Sequence, residues 1–200
     1  MTHYLAVEGI DGAGKSTVAR ELADALRRRG HPVTAVREPG GTPAGEAIRS
    51  IVLGRGFELD DWTEALLFAA ARAQLAATVV APALERGDLV VSDRCYYSSL
   101  AYQGAGRGLG VDVVRAVNEA GLRGVVPDVI VLLRLDAERG VARESERDRI
   151  SVAGVDLQRR VAAAYDAFAA AEPERFIVVD ATHPVAEIVA EVVSALETRW

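Results

Sequence analysis

Gly9-Ile10-Asp11-Gly12-Ala13-Gly14-Lys15-Ser16 fits the pattern G-x-x-x-x-G-K-[ST]. It stands between an apolar run, Tyr4–Glu8, and a helix-period segment over 15–29. A strand that feeds a glycine-rich loop into a helix demands an α/β unit in which loop amides and a helix N-terminus face one anion. Gly12 and Gly14 allow backbone conformations that aim successive N–H groups at a phosphate. Lys15 then neutralises the outer phosphates, and the Ser16 hydroxyl is offered to Mg²⁺. The bland alternative is a strand-to-helix turn carrying an exposed lysine. Lys15 is the only lysine in the chain, every other basic position being Arg or His, and its fall at this position argues for the phosphate loop.

The rest of the chain alternates in the same way. Strand-length apolar runs cover 33–37, 89–92, 129–135 and 176–179. Helix-period segments cover 43–53, 63–85, 98–105, 111–120, 137–146, 158–171 and 184–196. Strands that are apolar throughout and separated by helices imply a parallel sheet covered on both faces. The expected fold is a three-layer α/β/α P-loop domain over 1–200, with a five-stranded parallel sheet. The charged joint 143–153 has no core pattern and is expected to form a short mobile lid.

Composition narrows the chemistry. The net charge of −6 leaves no strong basic field, so nucleic acid is not an expected partner. Cys95 is the only cysteine, which rules out an intramolecular disulfide and suits a reducing compartment. No leader pattern and no run of 18 apolar residues is present, so a cytoplasmic chain without a membrane span is expected. GTPases commonly read guanine with N-K-x-D or T-K-x-D, which needs a second lysine. Large ATPase machines need further domains. Kinases of small molecules remain.

Six further segments occur in order: Arg37-Glu38-Pro39-Gly40-Gly41-Thr42, Leu67-Phe68-Ala69-Ala70-Ala71-Arg72-Ala73-Gln74, Asp93-Arg94, Ala101-Tyr102-Gln103-Gly104, Asp148-Arg149 and Asp180-Ala181-Thr182. With the phosphate loop, they make the chain resemble the bacterial-type thymidylate kinases nearly end to end. The resemblance implies transfer of phosphate from ATP to dTMP with Mg²⁺, by a homodimer. It places ATP on Gly9, Ile10, Asp11, Gly12, Ala13, Gly14, Lys15, Ser16, Thr17 and Thr182, and the metal on Ser16 and Asp93. It implies that Phe68 stacks on the thymine base and Arg72 donates to a base carbonyl. Phe68 and Arg72 share a helix face by their spacing of four, although spacing alone fits a core phenylalanine and a surface arginine as well. It gives Arg94 to the phosphates of both substrates, Arg49 to the acceptor phosphate and Asp11 to the sugar 3′-hydroxyl. Tyr102 is implied beside the sugar 2′ position, with Ser98 and Gln103 beside the base and Glu38 and Pro39 in the same substrate pocket.

The phosphate loop holds no arginine, Ala13 standing where some relatives carry one. Charge on the transferring group is therefore expected from Arg94 and from the lid, through Arg143 first and then Arg147 and Arg149. Two departures accompany the resemblance. Cys95 replaces an aromatic residue, and Ser151 replaces an acidic residue in a shortened joint. The alternatives left open are a kinase for another pyrimidine nucleotide or a nucleoside, and a nucleotide-binding protein that has lost turnover.

Overall fold

The computed structural model describes residues 3–143 and 154–199. Five strands, β1 (Tyr4–Glu8), β2 (Val33–Arg37), β3 (Leu89–Asp93), β4 (Val129–Arg134) and β5 (Phe176–Asp180), form one parallel sheet in the order β2-β3-β1-β4-β5. Every residue of β1 is buried, as are all but the last of β3 and β4. That is why these segments read as unbroken apolar runs: helices cover both faces, so no face needs polar side chains. The edge strand β2 is only partly buried and carries Thr34 and Arg37.

α1 (Lys15–Arg28) begins directly after Gly14, whose φ of 90° lies in the left-handed region, and buries Val18, Leu22 and Leu26 as the period predicts. α2 (Pro43–Leu53) is capped by the Thr42 hydroxyl, which accepts from the Gly45 amide at 2.9 Å. The long helix expected over 63–85 starts earlier, because the Asp60 carboxylate caps it by accepting from the Trp62 and Thr63 amides. It runs as α3 (Asp61–Leu75), a π-helical stretch Ala76–Val80 and α4 (Ala81–Glu85). The widened turns precede Pro82, which has no N–H and whose ring would clash with the carbonyl four residues back in a regular helix. By length and composition this 25-residue run would suffice to cross a membrane. In this fold its Glu64 and Arg72 are buried in polar contacts.

The helix expected over 98–105 is instead α5 (Tyr96–Ser99) followed by a π-helical segment, Leu100–Gly106. α6 (Val111–Leu122), α7 (Ala137–Arg143), α8 (Gly154–Ala171) and α9 (Val185–Glu197) complete the layers. Strand register levels the carboxyl ends: Asp93 pairs with both Val7 and Arg37. Gly9, Glu38 and Arg94 therefore leave the sheet side by side. The chain visits one flank of β1 and then the other, which makes this edge the crevice where open α/β sheets take ligands.

Candidate active site

A cavity of about 620 Å³ opens at that edge. Asp11, Gly12, Gly14, Lys15 and Ser16 line one end, and Glu38, Pro39, Arg49, Phe68, Arg72, Ser98, Tyr102 and Gln103 the other. Asp93 and Arg94 complete the lining, with Arg37, Leu53 and Ser99 added by the structure. Gly9, Ile10, Ala13 and Thr17 shape the loop without facing the cavity, Ile10 and Ala13 being buried beneath it.

Lys15 is 6% exposed and folds back on its own loop, its Nζ donating to the Ile10 carbonyl at 2.5 Å. Burial and then the nearby Arg94 guanidinium lower it to about 8. For Asp11 burial opposes ionisation, but Arg94 and Lys15 together hold its carboxyl down at about 2. Arg94 Nη2 lies 2.5 Å from Asp11 Oδ1, and its guanidinium sits 5.5 Å from the centre of the Tyr102 ring. Ser16 Oγ donates to Asp93 Oδ2 at 2.6 Å, while Asp93 Oδ1 is buried with no hydrogen-bond partner among the described residues.

A feature with no sequence signal lies against the loop. A Cβ on Gly12, whose φ is 76°, would stand 2.1 Å from the Gly140 carbonyl oxygen, and one on Gly140 would stand 2.5 Å from the Asp11 carbonyl oxygen. α7 therefore rests on the phosphate loop backbone to backbone, and either glycine admits no side chain without displacing it. Gln158, on α8, also reaches the loop. Its Nε2 donates to Asp11 Oδ2 at 2.8 Å, and its Oε1 accepts from the Asp11 amide at 3.2 Å.

At the other end Arg72 is not a surface residue, being 3% exposed. Its Nε donates to Glu38 Oε2 at 2.5 Å, its Nη1 to Ser99 Oγ at 3.1 Å and to Asn118 Oδ1, and its Nη2 to the Cys95 carbonyl at 3.2 Å. Four of its five N–H groups are thus engaged, leaving one on Nη2. Asn118 and Ser99 are site residues that sequence reasoning missed, since each meets Arg72 only through the fold. Gln103 Nε2 donates to Glu64 Oε1 at 2.8 Å, and Arg49 Nη1 to the Pro39 carbonyl at 2.8 Å. The π-helical turn around residues 100–106 widens the helix at the cavity wall, where both Tyr102 and Gln103 line it. Burial pushes the Cys95 thiol well up, in keeping with a small apolar residue that has no chemistry.

Thr182 lies elsewhere. It lines a second cavity of about 370 Å³ with Arg134, Asp136, Arg139 and Asp180. Arg143 does not enter the first cavity either; its Nη1 donates to the Ala181 carbonyl at 3.0 Å, next to Thr182. Arg147, Arg149 and Ser151 lie outside the described residues, as does the lid expected over 143–153 apart from Arg143.

The chain matches the family model for thymidylate kinase over residues 7–192. It is 45% identical over 199 residues to a thymidylate kinase of Deinococcus radiodurans, covering 98% of this chain and 97% of that one. It is 47% identical to a thymidylate kinase of Leifsonia xyli subsp. xyli, covering 98% and 95%, and 40% identical to one of Bacillus pumilus, covering 97% and 94%. With a phosphate loop at one end of its cavity and a buried arginine at the other, and with likeness running the length of the chain, this protein belongs to the thymidylate kinase family.

Proposed function

We propose that the chain transfers the γ-phosphate of ATP to dTMP, giving dTDP and ADP. The observation that carries this is the single cavity joining the phosphate loop to the Phe68–Arg72 pair. ATP phosphates lie along Gly9–Thr17, and the adenosine end reaches the second cavity beside Thr182. Thymine lies on Phe68, its 4-carbonyl taking the free N–H of Arg72. The Glu38–Asn118–Ser99 cage fixes that guanidinium before substrate arrives, so little is lost in ordering it. Pro39, Ser98, Tyr102 and Gln103 enclose the nucleoside, Asp11 accepts from the sugar hydroxyl, and Arg49 and Arg94 take the acceptor phosphate. Catalysis is positioning and charge neutralisation, with no covalent enzyme intermediate.

The residues present fit a divalent cation. Ser16 Oγ and Asp93 Oδ2 are already paired, and the buried Asp93 Oδ1, without a hydrogen-bond partner among the described residues, is a hard oxygen that suits such an ion. Bound there with ATP, Mg²⁺ would neutralise charge between the outer phosphates.

The test is ADP formation over a panel of nucleoside monophosphates. dTMP is expected to exceed dCMP in kcat/KM, because cytosine presents an amino donor where the remaining Arg72 N–H needs an acceptor. An unmatched polar group in a pocket costs on the order of 1–3 kcal/mol, about 5- to 150-fold. Equal values for dTMP and dCMP would refute the placement of the base.

The chain also acts as a homodimer in this reading. Trp62 and Leu66 on α3 and Val113 on α6 are 36%, 52% and 52% exposed, and α3 packs beside α6. A second copy packed on α3 and α6 would cover these exposed apolar side chains. Light scattering of the purified chain at micromolar concentration should give twice the 21.3 kDa chain mass; a monomer would reject the dimer.

A further inference from the structure

Arg94 has a φ of 74°, in the left-handed region that residues with a side chain seldom occupy. Such a conformation persists only where its surroundings over-determine it. Here they do. The Arg94 amide donates to the Val7 carbonyl at 3.0 Å. The next amide, Cys95, donates to Glu8 Oε1 at 2.8 Å, and the Ser98 amide donates to the same oxygen at 3.0 Å. Glu8 Oε2 accepts from the Ser98 hydroxyl at 2.7 Å and from the Tyr165 hydroxyl at 2.7 Å. Ser98 Oγ in turn lies 3.4 Å from Arg94 Nη1, so the same carboxylate orders a neighbour of the guanidinium.

Glu8 is fully buried and does not line the cavity. A carboxylate has about four lone-pair sites, and four donors occupy them, so Glu8 has no site left to take a substrate proton. Its role must act through what it holds. We propose that Glu8 is the positioning residue for Arg94. Glu8 is the last residue of β1 and Gly9 opens the phosphate loop. One strand end therefore carries the donor cradle on its backbone and the acceptor arginine on its carboxylate, which fixes the distance between the two phosphates. This rests on the reading of Arg94 as the residue that meets both phosphates.

The test compares Glu8→Leu, Glu8→Gln, Arg94→Ala and the double variant Glu8→Leu/Arg94→Ala. Leucine removes every acceptor. Glutamine keeps an oxygen for the two amides and turns its NH₂ to the two hydroxyls, which can rotate to accept. Misplacing a reacting group by about 1 Å costs roughly 10²-fold, so Glu8→Leu should lose about that in kcat. KM for ATP should stay within about twofold, since the phosphate loop itself is intact. Glu8→Gln should recover kcat to within about tenfold of wild type. In the Arg94→Ala background the Glu8→Leu loss should vanish, because contacting residues that act as one unit are not additive. A Glu8→Leu loss that multiplies with that of Arg94→Ala overturns the positioning role. So does a Glu8→Gln variant as impaired as Glu8→Leu. If Glu8→Leu does not fold, Tyr165→Phe removes one of the four donors, and its smaller loss must likewise disappear without Arg94. Wild-type turnover is measured first: no turnover of any nucleoside monophosphate defeats both readings, whereas turnover with multiplicative losses defeats this one alone.

Discussion

Lys15→Ala is expected to abolish phosphoryl transfer, with a fall in kcat of at least about 10³-fold, while the thermal melt stays that of the wild type. Removing a single preorganised donor to a developing charge costs about 10²–10³-fold in enzymes where it has been isolated, and Lys15 carries a full charge besides. Its state in the free protein shows why the loss falls on function and not on stability. The ammonium is buried near the Arg94 guanidinium, and burial and then that like charge lower it to about 8. Its hydrogen bond is to a carbonyl of its own loop, Ile10, and its acidic neighbour Asp11 stands 3.8 Å away. Asp11 keeps Arg94 at 2.5 Å and Gln158 at 2.8 Å when the lysine is gone. A buried charge with a like neighbour contributes little to the fold, and its removal leaves no new unpaired group. Phosphates of ATP bound as proposed would reverse that balance by giving the ammonium anionic partners. Steady-state kinetics beside a melt by calorimetry decide the matter, and activity within tenfold of wild type would remove the phosphate loop from the reaction.

The parts legible in the sequence are those set by neighbours in the chain. The phosphate loop needs glycines at fixed offsets between a strand and a helix, and all of that lies within Tyr4–Arg28. The strands were legible because burial on both faces leaves them uniformly apolar. What escaped depends on partners far apart in the chain. Gln158 meets Asp11 across 147 positions and Tyr165 meets Glu8 across 157, so neither residue differs in sequence from others on an amphipathic helix. Arg72 on spacing alone resembles a surface arginine, and only the arrival of Glu38, Ser99 and Asn118 from three other segments buries it. The π-helical turns at 76–80 and 100–106 look like ordinary helix in the sequence, because one extra residue in a turn hardly disturbs an apolar period over so short a stretch. The expectation that Arg143 brings charge to the transferring group took no account of the second cavity: Arg139 lines it, and Arg143 bonds the loop beside it.

That placement changes which arginine should matter most, and Arg94→Ala is expected to lower kcat by about 10³–10⁵-fold, the range measured for arginines that act on the transferring phosphoryl group. Several arginines are near enough to be weighed against it. Arg37 is held by Glu46 at 2.9 Å, Arg49 donates to the Pro39 carbonyl, and Arg72 has a single N–H left at the base end. Arg94 alone among the described arginines contacts the phosphate-loop acid, and its guanidinium lies between that loop and Tyr102. In the free protein Asp11 holds it. In the proposed complex a sugar hydroxyl would donate to Asp11 while two phosphates converge; the stronger anions would then draw the guanidinium away, so the interaction would grow toward the transition state and appear in kcat. Arg143 makes the contrast. Its contact is with a carbonyl beside Thr182, at the end assigned to adenosine, so Arg143→Ala should raise KM for ATP and leave kcat nearly unchanged. The measurement is kcat and KM for ATP in Arg94→Ala and Arg143→Ala, with Arg147→Ala and Arg149→Ala beside them. A kcat for Arg94→Ala within about threefold of wild type, under 1 kcal/mol in the barrier, would take the transition-state charge away from Arg94. A loss of 10³-fold or more in Arg147→Ala or Arg149→Ala would then assign it to the segment after α7.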